Sequence, residues 1–302
     1  MFSIVDSSAR PSSSFVPEVT IGEALRDAAV RLERIGGTGR LDAAFLLAHA
    51  GGVTRQEMLA HASRPLEPDV AERFAALVAK REAGMPLAYV TGEAGFYGRM
   101  FAVDERVLVP RPETEIAVEW AVRHLRAIGR ERGRAADVGT GSGAIAVSLA
   151  CELPDLDVFA ADSSADALAV ARSNAARNNV FQHITFLQGD LAAPLLRYAP
   201  FDCVVANLPY VPSAECAPAP DPVSFEPREA RDGGGDGLAL YRRFVPALRE
   251  LVAPRGLAIL EAAPTNARAL EALVREALPA AGCEIVRDYA DQDRFVVAAV
   301  PP

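Results

Sequence analysis

From residue 135 to residue 300 the chain alternates short apolar runs with longer helical stretches, and this alternation constrains the fold more than any other feature. The runs 135–138, 157–161, 184–187, 203–206 and 257–260 are too short for helices. They carry no apolar–polar alternation, as strands buried on both faces do not. Helical patterns occupy 144–152, 164–177, 238–250 and 266–278. Strand–helix alternation of this kind predicts an α/β unit, a largely parallel sheet with helices on both faces. The last two runs, 283–289 and 294–300, are separated only by a turn at 290–293. So short a connection allows only an antiparallel pair, which closes the sheet at its edge.

The residues before this unit read differently. Thr20 followed by Glu23 forms a capping box, and Leu25, Ala28, Ala29, Leu32 and Ile35 recur at helical spacing behind it. Helical patterns at 42–49 and 71–81 follow, broken by Gly51-Gly52 and Arg64-Pro65. Residues 18–85 therefore read as a small helical domain that helps recognise a substrate, after a disordered Ser-rich tail at 1–17. Residues 86–109 read as a β-hairpin connector, with short strands at 87–92, 95–98 and 101–103. The remaining domain spans 110–302. It begins with prolines that stiffen its entrance at Val109-Pro110-Arg111-Pro112-Glu113-Thr114-Glu115, and a helix runs from about 114 to 128.

Composition removes several function classes. A net charge of −9 and a pI near 5.1 argue against tracking nucleic acid by bulk electrostatics. Cys151, Cys203, Cys216 and Cys283 form no Cys-x-x-Cys pair, and His49, His61, His124 and His183 have no partner at metal-ligand spacing. They read as structural residues of a reducing compartment, with no metal site. The tail has no apolar signal core, and no run reaches the roughly 20 apolar residues of a membrane helix. The expectation is a soluble cytoplasmic protein, monomeric, without a membrane or direct nucleic-acid partner.

The chemistry begins at Asp137-Val138-Gly139-Thr140-Gly141-Ser142-Gly143, between the first strand and its helix. Glycines at alternate positions admit positive φ and let a ligand approach the backbone. The spacing is not the Gly-x-Gly-x-x-Gly of a dinucleotide site, and no Lys-Ser/Thr follows as in a P-loop. Asp162, 19 residues after Gly143 at the end of the second strand, can accept both hydroxyls of a ribose. Asp190, in Gln188-Gly189-Asp190-Leu191 after the third, can accept from an adenine amino group. Each Asp alone reads equally well as a helix cap or solvated turn. Together, the three groups describe a nucleoside without phosphates, and S-adenosylmethionine fits. After the fourth strand comes Asn207-Leu208-Pro209-Tyr210. Its proline ends the strand, leaving an amide, free carbonyls and an aromatic ring that can hold a planar nitrogen.

These motifs resemble class I S-adenosylmethionine-dependent methyltransferases, whose Rossmann-like parallel sheet carries an antiparallel edge hairpin. Asn-Leu-Pro-Tyr alone is shared by several groups that modify exocyclic or amide nitrogens, the ribosomal RNA adenine dimethyltransferases among them. The segment from Val109 to Glu115 narrows this, as do Ser224-Phe225-Glu226-Pro227-Arg228 and Asp232-Gly233-Gly234-Gly235-Asp236-Gly237-Leu238. All three resemble signatures of the release factor glutamine methyltransferases. The resemblance implies methyl transfer to the amide nitrogen of the Gln in the Gly-Gly-Gln tripeptide of peptide-chain release factors, with S-adenosylhomocysteine as product. It places Gly139, Thr140, Gly141, Ser142, Gly143, Asp162 and Leu191 on the cofactor, to which the reading of the residues adds Asp190 and Asn207. It places Asn207, Leu208, Pro209 and Tyr210 at the reacting amide, with Glu226 on the substrate side. Leu208 departs from the family, which more often has a second proline there; the acceptor needed is a backbone carbonyl, which either residue supplies. Two other readings share these residues: a methyltransferase for a ribosomal-protein glutamine or a nucleic-acid adenine, and a cofactor-binding assembly factor without catalysis. Gly233 to Gly237 reads as a mobile turn, and Glu226 with Arg228 as either a cover over the substrate or a solvated pair.

Overall fold

The computed structural model describes residues 19–36, 38–216 and 222–302; the expected tail at 1–17 lies outside them. The chain divides into two compact units, one ending at Ala83 and the other running from Gly84 to Pro302.

The first unit contains α1 (Ile21–Gly36), α2 (Gly39–Gly51), α3 (Arg55–Ala60) and α4 (Pro68–Glu82). The capping box forms as read: Glu23 N donates to Thr20 Oγ1 at 3.3 Å, and Thr20 N donates to Glu23 at 2.9 Å. The short α3 escaped the periodicity, yet Thr54 and Glu57 cap it with the same device. Leu32, Leu46, Leu47, Phe74 and Val78 are buried, and so are Asp42 and Arg81, which pair at 2.8 Å. Removing either charge would strand the other away from water.

The second unit opens with a departure from the sequence reading. Residues 87–91 form a helical turn, α5 (Leu87–Thr91), and not a strand. The Pro86 carbonyl accepts from both Tyr89 N and Val90 N, Thr91 Oγ1 bonds back to the Leu87 carbonyl, and Gly92 ends the turn at φ 74°. These local bonds override the strand preference of Tyr, Val and Thr. The hairpin follows as β1 (Glu93–Phe96) and β2 (Arg99–Ala102), joined by Tyr97-Gly98 with φ of 48° and 71°. Positive φ at both central residues is the turn whose twist matches a two-residue hairpin.

After α6 (Glu115–Ala127) come β3 (Arg134–Val138), α7 (Ala144–Glu152), β4 (Asp157–Asp162), α8 (Ala165–Arg177), β5 (Ile184–Gln188) and β6 (Phe201–Ala206). The expected helix at 238–250 is broken into α9 (Ala239–Phe244) and α10 (Leu248–Leu251) by a 3₁₀ turn containing Pro246, which has no N–H to continue an α-helical ladder. The chain closes with β7 (Val252–Glu261), α11 (Ala267–Ala277), β8 (Gly282–Arg287) and β9 (Asp293–Ala299).

The seven strands lie in the order β5-β4-β3-β6-β7-β9-β8, parallel except that β9 runs antiparallel to both its neighbours. Alternate strand residues enter two separate cores. Ala135, Ala160, Val205 and Ile259 face one, while Ala136, Ala161, Val204 and Leu260 face the other. The registers then fix the site. Val138 pairs with Ala161 and Ala206, and Ala206 pairs with Leu260. The next residue on each strand path is Asp162, Gly139, Asn207 and Glu261, four groups in a row along the carboxyl edge. The strand order reverses between β3 and β6, where a parallel sheet opens a crevice for a ligand.

Candidate active site

One cavity runs along this row. Gly139, Thr140, Gly141, Ser142, Asp162, Asp190 and Leu191 line one end of it, and Arg111, Thr114, Asn207, Leu208, Pro209 and Pro227 the other. Gly143, Tyr210 and Glu226 stand outside the lining.

At the first end the glycine loop is held from beneath. Gly139, Gly141 and Gly143 all have positive φ, at 75°, 53° and 80°. A side chain on Gly143 would lie 3.0 Å from the Ala171 Cβ, so this glycine lets α7 pack closely on α8. Gly141 has nothing within 4 Å of the place a Cβ would occupy. The Asp162 carboxylate oxygens accept from Gly141 N and Ser164 N, each at 2.9 Å. Each oxygen keeps a lone pair for a further donor, as a ribose diol requires. Leu191 lies at φ 48°, a strained conformation for a branched residue and one common where backbone is shaped around a ligand. Asp190 lines the cavity while its carboxylate pairs with Arg243; both partners are more than half exposed, so the pair is weak and adaptable. The residues fit the nucleoside part of S-adenosylmethionine.

Two side chains not assigned from sequence support this loop. Asp137 is fully buried; its Oδ2 accepts from Thr140 Oγ1 at 2.6 Å and from Ala146 N at 3.1 Å, while Oδ1 has no partner. Burial pushes its carboxyl up to about 7 against those two bonds. Asn174, buried on α8, donates to the Ser142 and Ala102 carbonyls at 2.9 Å and accepts from Ala102 N at 2.7 Å. It ties the hairpin to the glycine loop.

The second end is assembled from distant segments. Asn207 Nδ2 donates to Thr114 Oγ1 at 3.1 Å, and Thr114 Oγ1 donates to Glu261 Oε2 at 2.7 Å. Tyr210 OH donates to Glu261 Oε1 at 3.0 Å. Glu261 is 2% exposed, and burial pushes its carboxyl up to about 7 despite the two hydroxyl donors. Burial, followed by the charge of Glu261, raises the Tyr210 phenol, so it stays protonated and is no base at neutral pH. Leu208 is buried. Its N–H, which a proline would lack, donates to Tyr241 OH at 3.2 Å. The Tyr241 hydroxyl in turn bonds to the Glu261 carbonyl. Asn207 Oδ1 and the Leu208 carbonyl accept from none of the described residues, so two adjacent acceptors remain for a ligand.

Two loop readings change. The Gly233–Gly237 stretch is a packed brace, not a mobile turn. Cβ atoms on Gly233 and Gly237 would come within 2.6 Å of the Pro209 carbonyl oxygen and 2.2 Å of the Tyr210 carbonyl oxygen. Glu226 is neither a solvated loop residue nor a partner of Arg228. It is 3% exposed, accepts from Arg111 at 2.6 Å and from Val109 N at 3.3 Å, and fastens the proline-rich entrance. Arg228 pairs instead with Asp232 at 3.0 Å. Glu115 accepts from Tyr97 N at 2.8 Å, fixing the hairpin turn.

Comparison with known proteins supplies the family. Residues 23–92 match the family described as PrmC N-terminal domain, and residues 135–219 match a methyltransferase domain. The catalytic domain of hMettl16, solved with an RNA hairpin, shares the fold at 17% identity and a TM-score of 0.50, covering 76% of this chain and 81% of that one. The release factor glutamine methyltransferase of Moorella thermoacetica is 41% identical over 93% of this chain and 98% of its own. That of Bacillus subtilis is 36% identical over the same shares. Among the described residues no helix is long and apolar enough to cross a membrane, and no cluster of metal-ligating side chains occurs. A cavity lined by a strand-end amide, its neighbouring backbone carbonyl, a glycine loop and the Asp162 carboxylate thus sits in a chain that belongs to the release factor glutamine methyltransferase family.

Proposed function

We propose that this protein is a cytoplasmic, monomeric enzyme that methylates the side-chain amide nitrogen of the Gln in the Gly-Gly-Gln tripeptide of peptide-chain release factors. The methyl donor is S-adenosylmethionine, and S-adenosylhomocysteine is the product. The observation that carries this reading is the pair of uncommitted acceptors, Asn207 Oδ1 and the Leu208 carbonyl, in the same cavity as Asp162 and the glycine loop. A primary amide has two N–H groups to satisfy two such acceptors.

An amide nitrogen is a poor nucleophile because its lone pair is delocalised into the carbonyl. When bound, the cofactor supplies a methyl group on a positively charged sulfur. Gly139 to Ser142 and Leu191 would bound its path, with Asp162 on the ribose and Asp190 at the adenine edge. The protein's own work is to hold the amide. Asn207 Oδ1 and the Leu208 carbonyl fix the plane of the NH₂, leaving its out-of-plane density directed toward the donor. Tyr210, outside the lining and anchored through its hydroxyl to Glu261, braces the tetrapeptide from behind. Positioning of this kind can supply about 7–11 kcal/mol of the barrier reduction. The same two acceptors bind more strongly as the nitrogen becomes cationic, which favours the transition state over the ground state. No residue needs to remove a proton first, because nitrogen acidity rises as the new bond forms and the surplus proton then passes to water.

The test is incubation with isotopically labelled S-adenosylmethionine and purified release factors, followed by peptide mass mapping. Label is expected on the Gly-Gly-Gln glutamine. Label on a ribosomal protein, on nucleic acid, or nowhere would overturn the assignment.

A further inference from the structure

We propose that Thr114 and Glu261 form a directional hydrogen-bond relay that fixes which end of the Asn207 amide faces the substrate. The inference rests on the reading of Asn207 as the acceptor for a substrate amide, and it assigns its supporting residues a specific task. Asn207 has an oxygen that accepts and a nitrogen that donates, almost identical in size. Packing alone cannot tell them apart. Turned the wrong way, the side chain would present NH₂ to the substrate NH₂, and the first acceptor would become a repelling donor.

The chain of bonds removes that ambiguity. Above about pH 7 Glu261 is ionised and only accepts, so its Oε2 takes the Thr114 hydroxyl hydrogen at 2.7 Å. With its one hydrogen committed, Thr114 Oγ1 can only accept from Asn207, which must turn Nδ2 toward it, as found at 3.1 Å. Oδ1 is thereby left for the cavity. Glu261 is held in turn: Tyr210 OH occupies its other oxygen at 3.0 Å, and Tyr241 bonds its backbone carbonyl. The register places Glu261 beside Asn207, because Ala206 pairs with Leu260 one residue earlier. Thr114 reaches the pair from the proline-rich entrance, at the end of the Pro112–Thr114 turn that leads into α6. Thr114 and Glu261 are both buried, so water does not compete for these bonds.

Thr114 and Glu261 are positioning residues, and Thr114→Val is the sharpest probe, since it keeps the shape and removes the hydroxyl. Turnover of a release factor substrate should fall about 10–100-fold, with cofactor affinity unchanged within about threefold. Thr114→Ser should restore most of the rate, because it restores the donor and acceptor. On an Asn207→Ala background, Thr114→Val should cost nothing further, since the two act as one unit. A readout independent of any substrate is the side-chain ¹⁵N–¹H₂ pair of Asn207, assigned by its loss in Asn207→Ala. One of its protons should exchange slowly with solvent in the native protein and rapidly in Thr114→Val. Unchanged exchange in Thr114→Val overturns the relay, as does a full additional loss on the Asn207→Ala background or a Thr114→Ser variant no better than Thr114→Val. A wild-type enzyme that labels no glutamine while the exchange change is present overturns the substrate reading and leaves the relay standing.

Discussion

The two ends of the cavity solve one problem by opposite means. Each hangs from strand ends on the same sheet edge, and each rests on a buried acid whose carboxyl is pushed up to about 7. At the glycine loop the acid, Asp137, lies within nine residues of both its partners, Thr140 and Ala146. At the amide end the acid, Glu261, is 147 residues from Thr114 and 51 from Tyr210. The first end is a local structure that one segment nearly builds for itself, and it shapes backbone. The second exists only once the sheet has closed, and it orients a side chain. A binding surface made of backbone tolerates local bracing, whereas aiming a single amide requires support from several directions.

The largest effect expected from this contrast is at the amide end. Asn207→Ala should lower kcat by about 10²–10³-fold, the usual cost of losing one preorganised group that strengthens in the transition state. Cofactor affinity should stay within about threefold, as measured by calorimetry. Equal loss of both would show that the two ends are not separable. The reciprocal change, Asp162→Ala, should weaken cofactor binding by about 10–100-fold, because each hydrogen bond to a charged group is worth roughly 1.5–3 kcal/mol. Its kcat at saturating cofactor should fall far less than that of Asn207→Ala. A comparable kcat loss would contradict the division.

The supports of the loop end can be separated as well. Asn174→Ala removes three bonds and leaves the buried Ser142 carbonyl and the half-buried Ala102 carbonyl without that partner. A melting temperature lower by on the order of 5–10 °C is expected, with a weakened cofactor site. Asp137 makes a pH prediction whose sign follows from burial. Its carboxyl is raised in the folded state, so its contribution is fully present below the unfolded-state pKa near 3.8 and is lost as pH rises through about 7. Glu261 acts in the same sense between 4.5 and about 7. Urea titrations should therefore show stability falling across this window. Asp137→Asn should flatten part of the fall; an unchanged slope would mean that Asp137 titrates alike in the folded and unfolded chain.

The same contrast explains what the sequence disclosed. The glycine loop, Asp162 and the strand alternation were legible because their spacing is local and dictated by one strand–turn–helix unit. Asn207 was legible because Pro209 marks a strand end. Glu261 obeys that rule too, standing directly after the apolar run 257–260 as Asp162 stands after 157–161. A search for the first polar residue after every buried strand finds it. Thr114 gives no such signal, because its role depends on a bond made across 147 residues. Leu87–Thr91 misled for the reverse reason: its composition favours a strand, and backbone bonds to the Pro86 carbonyl and the Thr91 hydroxyl bond to the Leu87 carbonyl decided otherwise.

The smallest effect sharpens the comparison most finely. Leu208→Pro gives the position the residue more usual in the family and leaves its carbonyl in place. It removes the N–H that donates to Tyr241 at 3.2 Å. It also removes an apolar side chain that seals the two ends against each other, since Leu208 Cδ2 lies 3.0 Å from where a Cβ on Gly139 would stand. If the carbonyl is what the chemistry uses, kcat should stay within about threefold while stability falls by about 1–3 kcal/mol from the bond lost to the Tyr241 hydroxyl, which still donates to the Glu261 carbonyl, and from the lost packing. A kcat loss of a hundredfold in a variant that remains folded would mean that the side chain at 208 aims the tetrapeptide. The amide end would then depend on contact with the glycine loop, and the two halves of the cavity would be one mechanical unit rather than two.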